Sequence, residues 1–303
     1  VPFMRILYFL FFLALNYTVR LYFRKVIVVN KPERFSSTIY VSNHAASFMD
    51  PLLLAPFNRA VVFFMTRSDV FTAFTRPIFW MAHMLPIYRQ RDGVNTKEKN
   101  QEVFKKSSEI LLRKRSLLIF GEGVTDDVFI RRLKPLKKGA VRIGFTALES
   151  CNWAQDVYLA TIGCNYSNPA KFRSDVVIRN SEKILLNEFR TEFETNPNKI
   201  IQELTVRLEA MLKNDLIHVN EEESAVFTER MMLIQRKGMP MFEENTVPLL
   251  ERWNYTKDLV EDFNNNPEKY AALRAPVKDY FEGLKARNID DQKLYDATHN
   301  KIS

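Results

Sequence analysis

His44 and Asp50 stand six positions apart in the stretch Tyr40-Val41-Ser42-Asn43-His44-Ala45-Ala46-Ser47-Phe48-Met49-Asp50-Pro51. An aspartate that accepts the proton of one imidazole nitrogen fixes the tautomer and leaves the other nitrogen free as a base. On a regular helix a six-residue separation puts two side chains about 240° apart, so this pair could not meet. Across a strand–loop–helix corner it can, and the flanking residues predict such a corner. Thr38 to Val41 is a β-rich run, and Leu52-Leu53-Leu54-Ala55 is an apolar run. Between them Asp50 suits a helix N-cap and Pro51 the first helical position. The plainer reading of the same residues is a capping aspartate and a loop histidine, and the rest of the chain must decide.

The elements that would position this pair are legible as alternating strands and helices. Strands are expected at Val26 to Val29, Thr38 to Val41, Ala60 to Met65, Leu85 to Tyr88, Ser116 to Phe120, Val157 to Ile162 and Val176 to Ile178. Helices are expected over Thr96 to Arg113 and Ala140 to Leu148. The alternation argues an α/β fold, a mixed and mostly parallel sheet flanked by helices. Beyond about Asn214 the texture turns charged and helix-forming, from Glu221-Glu222-Glu223 through Asn264-Asn265-Asn266-Pro267. The chain thus divides into an apolar helix over 1–25, a central domain over 26–214 and a helical extension over 215–303.

Ile6 to Leu15 is an unbroken apolar run with Arg5 before it and Arg20, Arg24 and Lys25 after. A helix from Ile6 to Val19 would span roughly 21 Å, short of a bilayer core of about 30 Å. It is expected to lie in one leaflet, with the basic residues at lipid phosphates, on the cytoplasmic face of a membrane. A buried core helix is the competing reading, and no small-x-small site follows that would mark a signal peptide. Phe71 to Leu85, rich in Phe, Trp and Met, is either core or a second membrane-facing element, because periodicity does not separate the two.

Of 303 residues, 44 are Lys or Arg and 36 Asp or Glu, a net charge of +8 that favours anionic partners. The chain lacks a recognisable nucleic-acid module, so phosphate-bearing substrates and an acidic lipid surface lead. Cys151 and Cys164 are thirteen apart and His44, His83, His218 and His299 show no ligand spacing, so neither a disulfide framework nor a metal site is expected.

Four strand-to-loop corners carry the remaining chemistry. They are Asn43-His44 with Asp50, Pro86-Ile87-Tyr88-Arg89, Phe120-Gly121-Glu122-Gly123, and Ile162-Gly163-Cys164-Asn165-Tyr166. Loops at one end of an open α/β sheet build its site. In the order of these blocks the chain resembles the glycerophospholipid acyltransferases typified by lysophosphatidate acyltransferase, over about residues 30 to 185. The family pattern is Asn-His, four residues, then Asp; a Pro-(Val/Ile)-(Tyr/Phe)-x-Arg-like block; Phe-Pro-Glu-Gly; and a late Val-Pro-Val strand. Here five residues separate His44 from Asp50, Gly121 replaces the Pro before Glu122, Val124-Thr125 stand where an Arg is usual, and Thr161 replaces the late Pro.

The resemblance implies acyl transfer from acyl-coenzyme A or acyl-carrier protein, as co-substrate with no further cofactor, to a hydroxyl of a lysophosphatidate- or glycerol-3-phosphate-like acceptor. An alcohol is a poor nucleophile near neutrality, and His44 oriented by Asp50 would supply the base, worth roughly a hundred- to ten-thousand-fold. Cys164 or Ser47 as an acyl-enzyme nucleophile is the rival mechanism, although neither sits in a nucleophile elbow. Arg89 and Arg91 would grip the acceptor phosphate. Glu122 would meet an acceptor hydroxyl or hold Arg89. Gly123 would let backbone approach substrate, and Asn43 belongs to the same substrate-facing corner. Lys137 and Lys138, before a helix start, offer a second anion site for coenzyme A phosphates or an acidic carrier face. His83 is expected to be packed. Two alternatives stand beside this reading: transfer to a lyso-aminolipid without glycerol phosphate, and a non-catalytic lipid-surface scaffold.

Overall fold

The computed structural model describes residues 2–33, 35–57, 62–68, 71–76, 79, 83–87, 96–123, 129–235, 247–291 and 294. Two compact units form, one from residues 1–129 and 133–216, the other from 130–132 and 217–303. The expected break near Asn214 therefore falls at Leu216, and the short segment Ile130–Arg132 joins the second unit, where the Val219 N–H donates to the Arg131 carbonyl at 2.7 Å.

The first unit begins with helix α1 (Pro2–Tyr22) and strands β1 (Lys25–Val29) and β2 (Thr38–Ser42). Helix α2 (Met49–Phe57), β3 (Val62–Arg67), β4 (Met84–Ile87), helix α3 (Thr96–Leu112) and β5 (Ser116–Phe120) follow. Helix α4 (Gly139–Ser150), β6 (Tyr158–Tyr166), β7 (Asp175–Asn180), β8 (Ile184–Leu185), helix α5 (Arg190–Thr195) and helix α6 (Pro197–Asn214) complete it. The strands make one sheet in the order β1-β7-β6-β2-β5-β3-β4, with β8 beside β6. Among the described residues every pairing is parallel except β6 with β7 and β6 with β8. The sheet is thus mixed, mostly parallel and flanked by helices.

Strand alternation explains the two layers. Ile39, Val41, Leu117 and Leu159 face a core shared with Val103 and Leu111 of α3, Val141 and Phe145 of α4, and Leu204 and Leu208 of α6. Tyr40, Leu118, Ala160, Ile162, Cys164 and Tyr166 face the other way, onto Leu53 and Leu54 of α2 and onto Val19 and Phe23 at the end of α1. Four of the strands run a little longer than the sequence pattern indicates; β6 continues from Ile162 to Tyr166, a stretch whose residues are all buried.

Helix α1 is longer than Ile6 to Val19 and is not separate from the first unit. Val19 and Phe23 pack in its core, whereas Phe9, Leu13, Tyr17 and Leu21 are exposed. Among the described residues no helix is long and apolar enough to cross a membrane. The Phe71 to Leu85 stretch, described only in part, divides between both readings: Phe71 and Phe79 meet edge to face and pack on the α2 side of the core, while Phe74 is exposed.

The second unit contains α7 (Glu222–Gln235), α8 (Leu249–Asn265) and α9 (Arg274–Ala286). Phe227, Met231, Phe263 and Val277 form its small core. Arg131, almost fully buried, pairs with Glu229 at 2.6 Å.

Candidate active site

Register brings the corners together. Ser42 is paired with Phe120 on one side and Ile162 on the other, all in parallel strands, so β2, β5 and β6 deliver their C-terminal ends to one edge of the sheet. β4 ends at Ile87, with β3 between it and β5 in parallel register. The chain leaves β2 at Asn43, whose amide closes two bonds to the backbone of Cys164: its Nδ2 donates to the Cys164 carbonyl at 3.1 Å, and its Oδ1 accepts from the Cys164 N–H at 2.8 Å. This lock between β2 and the far half of β6 fixes where His44 emerges.

The loop from His44 to Asp50 turns back on itself through Ser47, at φ +49°, with Met49 N–H donating to Ala46 O and Asp50 N–H to Ser47 O. A left-handed non-glycine residue costs roughly 1–2 kcal/mol, which the surrounding bonds must offset. Asp50 is therefore not the N-cap; α2 starts one residue earlier, and the carboxylate points back to the loop. Asp50 is fully buried and accepts three bonds. His44 Nδ1 lies 2.8 Å from Oδ2, the Ala46 N–H reaches the same oxygen at 3.0 Å, and the Tyr166 hydroxyl donates to Oδ1 at 2.7 Å. To a carboxylate, which can only accept, Nδ1 is the donor, and Nε2 is the ring nitrogen that Asp50 does not engage. The His44 side chain is 22% exposed, and its ring stacks on Phe120 with centroids 4.1 Å apart.

Glu122 is placed differently from expectation. It is 5% exposed, and its two oxygens accept the backbone N–H of His44 at 2.7 Å and of Lys134 at 3.1 Å. One oxygen thus braces the backbone of His44 itself and the other that of the loop before α4. Burial pushes this carboxyl above its ordinary value, against the two N–H bonds that favour the charged form. Asn43, likewise, is occupied by Cys164 and acts as a positioning group. A Cβ at 121 would lie 2.7 Å from side-chain methyls of both Val41 and Leu136, so any other residue there would have to displace them. Gly123 takes φ +72° and is exposed, a conformation other residues adopt only with strain. Lys137 and Lys138 are exposed just before α4, whose first turn has no side-chain cap. Arg89 and Arg91 lie outside the described residues. His83 stacks on Phe63 with centroids 4.4 Å apart, and burial lowers its basicity.

Two contributors escaped the sequence pattern. Tyr166 holds the second oxygen of Asp50, and burial beside that carboxylate pushes its phenol well up, keeping it a donor. The tyrosine closing the Ile162 to Tyr166 block was the available signal, since a buried hydroxyl must find a partner. Phe120 was visible only as part of its block, not as a platform for the imidazole. Cys164, by contrast, is fully buried, and desolvation with Asp50 nearby raises its thiol well up. Such a thiol is a packed group and a poor nucleophile. Among the described residues no cluster suited to hold a metal ion occurs.

Residues 26–165 match the family model described as Acyltransferase. No curated protein matches the chain. Among solved structures, the chain is similar to the 1-acyl-sn-glycerophosphate (LPA) acyltransferase PlsC from Thermotoga maritima, at 14% sequence identity and a TM-score of 0.41. That similarity covers 66% of this chain and 80% of the other.

Proposed function

We propose that the chain, whose residues 26–165 match the family model described as Acyltransferase, is a membrane-associated O-acyltransferase. It moves a fatty acyl group from acyl-coenzyme A or acyl-carrier protein to a hydroxyl of a lysophosphatidate- or glycerol-3-phosphate-like acceptor. The observation that carries this reading is the 2.8 Å contact of His44 Nδ1 with an Asp50 whose other oxygen is held by Tyr166. Nε2 takes the proton of the acceptor hydroxyl as its oxygen attacks the thioester carbonyl. The imidazolium, stabilised by Asp50, then returns that proton to the departing thiolate as the C–S bond breaks. No acyl-enzyme is needed, in keeping with the sealed Cys164.

Arg89 and Arg91 are the proposed phosphate grip on the acceptor, and Lys137 with Lys138 the proposed contact for the donor's phosphates or an acidic carrier face. Helix α1, apolar on the side turned from the core, seats the site at the leaflet, so that greasy substrates need not cross water.

Thiol release from an acyl-coenzyme A, by wild type and His44→Ala in detergent micelles, tests this. The acceptors are glycerol 3-phosphate, lysophosphatidate and a phosphate-free lyso-lipid. Release that needs both His44 and a phosphate-bearing acceptor is expected. Preference for the phosphate-free acceptor would move the reading to a lyso-aminolipid enzyme. Silence with both the coenzyme A and carrier-protein donors would favour a lipid-surface scaffold.

A further inference from the structure

The same edge of the sheet that carries His44 also carries a projecting hairpin. β6 runs parallel to β2 and continues past Ile162, the partner of Ser42, so Gly163 to Tyr166 carry it about 13 Å further. The chain turns over Asn168-Pro169-Ala170-Lys171-Phe172-Arg173-Ser174 and returns in antiparallel β7 from Asp175. β1 pairs parallel to β7 with Lys25 opposite Asp175, so the end of α1 arrives at this edge too.

Hairpin tip and helix end are tied together. The Tyr22 hydroxyl donates to the Pro169 carbonyl at 3.0 Å, the Arg173 N–H to the Tyr22 carbonyl at 2.7 Å, and the Arg24 N–H to the Ser174 carbonyl at 2.8 Å. The tip is internally built as well: the Ala170 N–H donates to Asn168 Oδ1, and Arg173 sits at φ +62°. Such a frame holds its apex side chains outward. Phe172 is 64% exposed, its ring meeting that of Tyr22 edge to face, and Lys171 and Arg173 on either side are exposed. Arg20 and Lys25 lie exposed on the adjoining helix end and strand start. No acid occurs in the tip, and the next one, Asp175, is buried against Arg24. Phe48, between His44 and Asp50, is a further exposed aromatic in the corner at this edge.

We propose that the β6–β7 hairpin tip is a second docking element for an anionic lipid surface. Phe172 enters the interface while Lys171 and Arg173, with Arg20 and Lys25, meet lipid phosphates. An aromatic side chain between bases matches the layered chemistry of that surface, apolar below and anionic above. The placement turns the edge bearing His44 toward the leaflet. This inference rests on the leaflet-seated reading of α1.

Co-sedimentation of the full chain with phosphatidylcholine vesicles, with and without phosphatidylglycerol, tests it. Phe172→Ser should weaken binding to the mixed vesicles roughly ten- to a hundredfold, the scale of one aromatic withdrawn from an apolar phase. The double change Lys171→Glu with Arg173→Glu should weaken it more than tenfold on mixed vesicles, leave the neutral vesicles unaffected, and lose its effect at high salt. Phe172→Trp should give emission quenched by brominated lipid chains. Binding that neither change lowers by more than twofold, or a wild type indifferent to phosphatidylglycerol, would overturn the proposal. Micellar thiol release by the same proteins separates the two readings. Absent wild-type turnover would unseat the acyltransferase and leave the vesicle result standing; normal turnover with unaltered binding would unseat the hairpin alone.

Discussion

In the α/β unit, two buried carboxylates are spent on a neighbour that remains reachable: Asp50 and Glu122, both nearly or fully buried, converge on the side chain and the backbone of a partly exposed His44. In the helical unit charge is paired to close the structure. Arg131 is matched by Glu229, Arg252 Nε donates to the Val247 carbonyl, and Asp262 gathers Lys269, Tyr270 and Asn266 at the surface. Both units bury polar groups with partners, as burial demands. In the first the chain of partners ends on His44, a titratable group whose Nε2 is not engaged by Asp50. A network that closes on itself stabilises, whereas one that ends at solvent with a free lone pair can do chemistry.

The sharpest way to break that contrast is His44→Ala. Turnover should fall about a hundred- to ten-thousand-fold, read as thiol release, with a stability loss no larger than the about 1.5–3 kcal/mol of one hydrogen bond to the buried Asp50. A larger loss in denaturant unfolding would make His44 a structural group like those of the helical unit. Next comes Tyr166→Phe, which strips Asp50 of one donor. Hydrogen bonds to charged groups are worth about 1.5–3 kcal/mol, so turnover should drop roughly ten- to a hundredfold with a loss of stability on the same scale. Loss of stability alone would place Tyr166 in packing rather than in positioning.

Glu122→Gln leaves one of two backbone N–H groups facing an amide nitrogen, at a cost of about 1–3 kcal/mol in urea unfolding. The pH dependence has a definite sign. A carboxyl raised by burial binds its proton more tightly folded than unfolded. Its contribution is full below the unfolded value and is lost as pH rises through the folded one. Wild type should lose stability as pH climbs through that window, and the Gln variant should lack that component. The smallest effect is expected from Asp262→Asn. Hydrogen bonds from Lys269, Tyr270 and Asn266 hold that exposed carboxyl down, from 3.8 to about 2. Its contribution is present above the ordinary carboxylate range and disappears as pH falls through about 2. Thermal scans between pH 2 and 5 should flatten slightly in the variant, with turnover at neutral pH unchanged.

The residues show where legibility ended. The His44–Asp50 corner could be anticipated because both partners sit on one turn, where β-rich, polar and apolar runs mark strand, loop and helix. The capping role expected of Asp50 failed for the same local reasoning: a cap is judged from neighbours in the chain, whereas Tyr166 and His44 compete for that carboxylate in space. Glu122 illustrates the same limit. Its block announces a functional acid, but only strand register shows that both oxygens are committed to the N–H groups of His44 and Lys134.

What the sequence determined by itself was everything carried by period and proximity: alternating strands and helices, the apolar N-terminal helix, the change of texture after the α/β region, and a histidine able to reach an aspartate. Tertiary structure alone decided which groups stand behind that histidine and what the hairpin at 168–174 presents. The reason is physical. Tyr166 meets Asp50 across 116 positions of chain and Glu122 meets the His44 backbone across 78. Such pairings depend on parallel register across the sheet, which no local pattern of side chains encodes.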